Sequence, residues 1–126
     1  MGHGDKVAIV DANYPAQTMG KRVITYPGIS ATELLKAIVD IFPLDHIVPE
    51  PAMLMDMTEE DRKTMPEPET WTEFAGIIHK EYGEEKKVGK LSREGFYEKS
   101  KDAYLIIQSG EERLYVNILL VKGVVR

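Results

Sequence analysis

Apolar residues along this chain alternate between short continuous runs and helix-spaced stripes. Val7 to Val10 form an unbroken apolar run rich in β-branched residues, which predicts a strand buried on both faces. Gln17 to Arg22 is polar and reads as a loop. Val23 to Tyr26 reads as a second short strand, closed by Pro27-Gly28. Ser30 and Glu33 have capping-box spacing and predict a helix running to about Phe42. Leu34, Leu35, Ile38, Val39, Ile41 and Phe42 give that helix its apolar face, and Pro43 stops it.

Ala52 to Met57 reads as a strand whose methionines fill a core. Thr58 to Glu69 is charged and proline-punctuated. It reads as a connection, with its acidic cluster a solvated surface. Thr70 and Glu73 repeat the capping-box spacing. Trp71, Phe74, Ile77, Ile78 and Tyr82 follow on one helical face, with Gly83 as the stop. A polar connection leads to a short strand at Val88 to Leu91, and Ser92 caps a helix reaching about Ala103. Between Tyr104 and Val121 two apolar strands flank Gly110 to Arg113, which reads as a hairpin. Strands and helices alternate, so the expected fold is a single α/β domain with a mixed β-sheet flanked by helices.

Composition narrows the function. At 126 residues the chain is one domain with room for a sizeable core. Hydrophobic residues at 43% and charged residues at 29% describe a water-soluble globular protein. A net charge of −5 argues against nucleic acid as a partner, since phosphate binding needs clustered Lys and Arg. The chain has no cysteine, which excludes disulfides, thiolate metal sites and cysteine nucleophiles and fits a cytoplasmic protein. No signal peptide or membrane-length apolar run is present. Three scattered histidines without cysteine argue against zinc. His46 and His79 read as structural or surface residues.

Four places carry candidate chemistry. His3 stands between Gly2 and Gly4, where glycine lets the backbone turn sharply. Asp11 follows the first strand, at the kind of carboxyl end where α/β sheets bind ligands. If the chain folds back over the sheet edge, both face one pocket. On the residues alone, His3 reads equally as a tag remnant and Asp11 as a turn cap. Asn117 is polar within the apolar run Leu114 to Val121 and needs partners there. It either bonds backbone at a bulge or faces a hydroxyl-rich ligand. Under the second reading Asn117→Ala weakens binding and spares the fold. Tyr115, two residues away, shares its strand face and supplies an aromatic platform for a sugar. Arg93 begins a helix and by itself reads as a surface cation.

These motifs together resemble the L-fucose mutarotase family, sisters of the ribose pyranases. The likeness runs through Gly2-His3-Gly4-Asp5, Asp11 to Ala16, Pro43 to Asp45, Trp71 to Phe74, Phe96 to Tyr104 and Ser109 to Val124, in order. The resemblance implies a fold of the ribose pyranase/fucose mutarotase type. It implies a site made of His3, Asp11, Arg93, Tyr115 and Asn117, with Arg93 favouring the fucose branch over the histidine usual in ribose pyranases. It implies rings, typically stacked pentamers, with sites near subunit boundaries; hence a homo-oligomer, pentamer or decamer. It also implies a further helical segment of about twenty residues ahead of the opening motif, the length of one helix and its approach; the sequence starts inside that motif, so either it is truncated or its start is assigned late.

The implied substrate is a reducing monosaccharide, L-fucose or D-ribose, and the implied reaction is exchange of its α and β anomers. Ring opening takes a proton from the anomeric hydroxyl and gives one to the ring oxygen; closure reverses both, and no cofactor or metal is needed. Histidine titrates near neutral pH, so His3 is cast as the general acid/base. Asp11 binds hydroxyls or orients the imidazole, and Arg93, Tyr115 and Asn117 position the ring. Tyr115 and water are both open as the second proton-transfer group. Three rival readings use the same residues: a non-catalytic sugar-binding accessory of uptake, a pyranase converting pyranose to furanose, and a ring-forming structural protein with a vestigial pocket.

Overall fold

The computed structural model describes residues 4–19, 22–44 and 50–123. Its centre is a six-stranded sheet built from β1 (Lys6–Val10), β2 (Val23–Tyr26), β3 (Ala52–Met55), β4 (Val88–Leu91), β5 (Leu105–Ser109) and β6 (Ile118–Val121), in the spatial order β2-β5-β1-β6-β3-β4. β1 pairs parallel with β5, β5 with β2 and β3 with β4, while β6 runs antiparallel to both β1 and β3. Five strands therefore point one way and β6 the other. This is the mixed, helix-flanked sheet the sequence predicts.

The two central strands explain the apolar runs. Val7 to Val10 and Ile118 to Val121 are all buried, as strands covered on both faces must be. Among the described residues the helices are α1 (Ala16–Met19), α2 (Ala31–Val39), α3 (Glu59–Thr64), α4 (Glu69–Tyr82) and α5 (Arg93–Lys101). α2 packs on α4 and on β1; α5 packs on α1 and on β1, β3 and β4. Phe74 of α4 and Phe96 of α5 are fully buried, and truncating either to alanine costs about 3–5 kcal/mol by the usual cavity arithmetic.

Several boundaries differ from the sequence reading. The predicted hairpin is absent. β5 and β6 do not pair, because β1 lies between them, two strand spacings or about 10 Å across. Residues 110–117 are instead a long connection over the sheet edge, and Leu114 to Asn117 precede β6 rather than belonging to it. The loop after Pro15 contains α1. α2 stops at Val39, so Ile41 leaves the apolar face and is 84% exposed while Phe42 is buried. Its start is as read, with Ser30 Oγ accepting from Glu33 N–H at 3.2 Å. β3 ends at Met55, two residues early.

The second capping box is also displaced. α4 begins at Glu69 with Pro68 as its cap, and the buried Thr70 hydroxyl finds no partner. Proline before the helix sets the start with its fixed φ, and the Thr-x-x-Glu spacing is overridden. Gly83 ends α4 at φ 104°, as expected of a glycine stop. Gly110 is required where β5 ends: a Cβ there would lie 1.9 Å from the Pro27 carbonyl oxygen. That close approach ties the connection to the β2 end of the sheet.

Candidate functional site

Strand direction gathers the site. Because β6 is antiparallel to its neighbours, its amino end lies beside the carboxyl ends of β1 and β3. Asp11 leaves β1, Asn117 enters β6, and Arg93 follows β4 by two residues, all at one edge of the sheet. A cavity of about 140 Å³ opens there. Four of the five residues named from sequence line it: Asp11, Arg93, Tyr115 and Asn117.

The floor is polar and tightly bonded. Asp11 N–H donates to Asn117 Oδ1 at 2.8 Å. The Asp11 carboxylate accepts from Asn13 N–H at 3.0 Å and Val116 N–H at 3.3 Å. Burial raises the Asp11 pKa; the Val116, Asn13 and Tyr14 N–H groups oppose that, and the Glu111 charge adds to it. Each carboxylate oxygen keeps a lone pair beyond its backbone bond. Among the described residues Asn117 Nδ2 meets only the Met55 sulfur, at 3.8 Å, and so remains a donor toward the cavity. The Asn117 oxygen thus serves the backbone, as the first reading has it, while the residue also lines the cavity.

Tyr115 forms one wall, but not by strand alternation. Its φ is 59°, the left-handed region, uncommon for a residue with a side chain. Trp71 Nε1 on α4 holds the Tyr115 carbonyl at 2.9 Å. The phenol donates to the Asp61 carboxylate and accepts from Thr58 N–H at 3.4 Å. On the facing side, Arg93 Nε donates to the Tyr97 hydroxyl at 3.0 Å, with the guanidinium 5.7 Å from the Tyr97 ring centroid. The Tyr97 hydroxyl and, more remotely, Tyr115 and Asp61 push the Arg93 pKa up, so it is always a cation. Tyr14 bonds the Ser100 hydroxyl and meets Tyr97 edge-on at 5.4 Å. Burial pushes its phenol up to about 12, which keeps it protonated.

Asp61, Tyr97, Asn13 and Tyr14 line the cavity and were not singled out from sequence. Two were within reach. Thr58-x-x-Asp61 is itself a capping-box pattern, and in α3 Thr58 Oγ1 does accept from Asp61 N–H at 3.2 Å. The stretch read as a solvated connection thus places one carboxylate in the pocket. Tyr97 is four residues after Arg93 and so shares its helix face.

His3 and His46 lie outside the described residues. Gly4, the neighbour of His3, donates its N–H to the Lys122 carbonyl at 2.8 Å, at the amino end of β1. Extended chain rises about 3.3 Å per residue, so Gly4 and Asp11 stand roughly 20 Å apart at opposite ends of the strand. His79 lies in the last turn of α4 with Nε2 3.0 Å from the Lys86 carbonyl, a structural place as read. Among the described residues no cluster of His, Asp or Glu could hold a metal, and no helix is long and apolar enough to cross a membrane.

Taken together, sheet and site define a small α/β protein with a polar, aromatic-walled pocket sized for a compact hydroxylated ligand. The model of the RbsD / FucU transport protein family matches residues 1–125, and the chain belongs to that family. It is 36% identical over 127 residues to the fucose mutarotase of Bos taurus, covering 98% of this chain and 82% of that protein. The crystal structure of FucU from Bifidobacterium longum superposes with a TM-score of 0.92 at 42% identity, over 100% of this chain and 88% of that one. The fucose mutarotase of Streptococcus pneumoniae, solved in complex with L-fucose, also gives 0.92, at 37% identity over 100% and 87%.

Proposed function

We propose that this protein is an L-fucose mutarotase, an isomerase that exchanges the α and β anomers of the sugar by acid/base ring opening and closure. The observation that carries this is the convergence of Asp11, Arg93, Tyr115 and Asn117 on one cavity, in a fold that superposes on a fucose-bound mutarotase. Asp11 accepts hydrogen bonds from sugar hydroxyls through its remaining lone pairs. Asn117 Nδ2 and Arg93 donate to sugar oxygens, and the Tyr115 and Tyr97 rings cover the C–H faces. Fixing the ring this way lowers the barrier by positioning. His3 supplies one proton transfer: it takes the anomeric proton as the bond between C1 and the ring oxygen breaks, while the ring oxygen gains a proton from water; after rotation about C1–C2, closure reverses both transfers.

Such a His3 serves the pocket of a neighbouring copy of the chain. The roughly 20 Å between Gly4 and Asp11, the length of an extended strand, supports this, because one imidazole does not bridge it. The assembly is a homo-oligomer, a pentamer or a decamer. Ile24 and Tyr26 on the sheet's edge strand β2, 42% and 44% exposed, and Leu114 at the pocket mouth, 51% exposed, support buried contacts between copies. A cytoplasmic location is favoured by the cysteine-free sequence. Saturation transfer between the anomeric protons of L-fucose tests the activity. Sugar binding without faster exchange would instead make the protein a binding accessory.

A further inference from the structure

We infer that Asp61 is a positioning residue for the sugar site: it accepts the hydrogen bond of the Tyr115 phenol and leaves that oxygen facing the pocket as an acceptor. The inference rests on the proposed mutarotase reading and assigns a role within the same site. A phenol has one proton and two lone pairs. In Tyr115 the O–H donates to the Asp61 carboxylate, and one lone pair meets Thr58 N–H at 3.4 Å. What remains toward the cavity is a single acceptor position. A sugar hydroxyl that lies against Tyr115 must therefore donate to it, and Tyr115 has no proton to give to the ring oxygen. This removes Tyr115 from the two candidates for the second proton transfer.

The surroundings show that the phenol is held from several sides. The Tyr115 carbonyl is fixed by Trp71 Nε1 at 2.9 Å, and its backbone sits at φ 59°. A left-handed non-glycine residue persists only where its surroundings over-determine it, and such places cluster at binding sites. Asp61 belongs to the same lock. Its own N–H is capped by Thr58 Oγ1 at 3.2 Å, so the short helix α3 delivers Thr58 N–H and the Asp61 carboxylate to one phenol oxygen.

The test uses the full chain with tyrosines labelled at ¹³Cζ, whose shift reports phenol hydrogen bonding, alongside fucose exchange kinetics. Tyr115→Phe identifies the Tyr115 resonance by its loss. Asp61→Ala is expected to move that resonance, and Asp61→Asn, which keeps an oxygen acceptor, to move it less. In the exchange assay Asp61→Ala and Tyr115→Phe should each raise KM about tenfold, the scale of one hydrogen bond to a charged group, with kcat changed less than about threefold. Because Asp61 acts through the phenol, the double variant should be no worse than the worse single one. An unmoved Tyr115 resonance in folded Asp61→Asn and Asp61→Ala overturns the inference, as does multiplication of the two KM effects to about a hundredfold. If the wild-type protein exchanges no fucose, the mutarotase reading and the sugar-positioning role fall together, and the resonance shift still reports whether Asp61 holds the phenol.

Discussion

The backbone N–H of Asp11 and the side-chain Oδ1 of Asn117 meet at 2.8 Å, tying the residue just after β1 to the residue just before β6. They are 106 positions apart in sequence. The bond makes Asn117, which also lines the cavity, a part of the scaffold.

Asn117→Ala should therefore damage both. Removing Oδ1 leaves a buried backbone donor unpaired, at about 1–3 kcal/mol of stability. Removing Nδ2 takes a donor from the sugar, so fucose affinity should fall by roughly tenfold or more. Thermal melting and fucose titration on the same variant check this. The expectation from sequence, that the fold would be spared, is revised by the Asp11 bond. Unchanged melting would show that water replaces the lost oxygen.

Asp11 gives a pH dependence of definite sign. Its folded pKa is raised above the ordinary 3.8, burial being the main cause, so the native state holds this proton more tightly than the unfolded chain does. Its contribution to stability is thus full below about 3.8 and is lost as pH rises through the raised folded value. Asp11→Asn removes that downward slope. Chemical denaturation of both proteins across the acidic range should show the difference in stability moving in favour of the variant as pH rises. Parallel curves would contradict it.

Glu111 has the opposite sign. Arg113 binds its carboxylate through Nε at 2.8 Å and a terminal nitrogen at 2.9 Å, and this pair lowers the Glu111 pKa below 4.5. Its stabilisation is present above 4.5 and lost as pH falls through the lower folded value. Arg113 also reaches Glu73 on α4 at 3.6 Å, so it pins the connection carrying Tyr115 and Asn117 to that helix. Half of the Arg113 side chain is exposed, which limits the loss in Arg113→Ala to about 1 kcal/mol. Denaturation at neutral pH should show that loss, shrinking as Glu111 is protonated. A loss that does not change with pH would mean the arginine acts by packing alone.

What the sequence revealed and what it hid follow one division. Contiguous patterns were legible: the apolar run of β1, the Ser30 and Ser92 caps, the Gly83 stop. Pairing between distant segments was not. Gly110 to Arg113 reads as a turn between two apolar runs, yet nothing local says that β1 will insert between β5 and β6. Asp11, Arg93, Tyr115 and Asn117 were named by motif, and the geometry that unites them comes from the reversed direction of β6. Asp61 stayed hidden because acidic residues in a charged stretch are usually solvated; only the Thr58 spacing distinguished it. Tyr115 was placed beside Asn117 for the wrong reason. A left-handed backbone brings it there, and side-chain alternation in a strand does not.

The shared site makes a prediction of its own. If His3 serves a neighbouring copy's pocket, His3→Ala and Asp11→Ala are each inactive alone but complementary when mixed. Co-refolded heteromers should regain up to about a quarter of wild-type activity, the statistical share of sites in which the contributed His3 and Asp11 are both present for an equal random mixture. Mixtures no more active than their parents would return His3 to its own chain or remove it from the reaction.

The most direct measurement is anomer exchange itself. Saturation of the α-anomeric proton of L-fucose, in the presence of folded and assembled protein, should drain intensity from the β-anomeric signal. The exchange rate should rise in proportion to protein concentration and collapse in Arg93→Ala and Asp11→Ala. Exchange at the buffer rate in the wild-type protein would contradict a mutarotase.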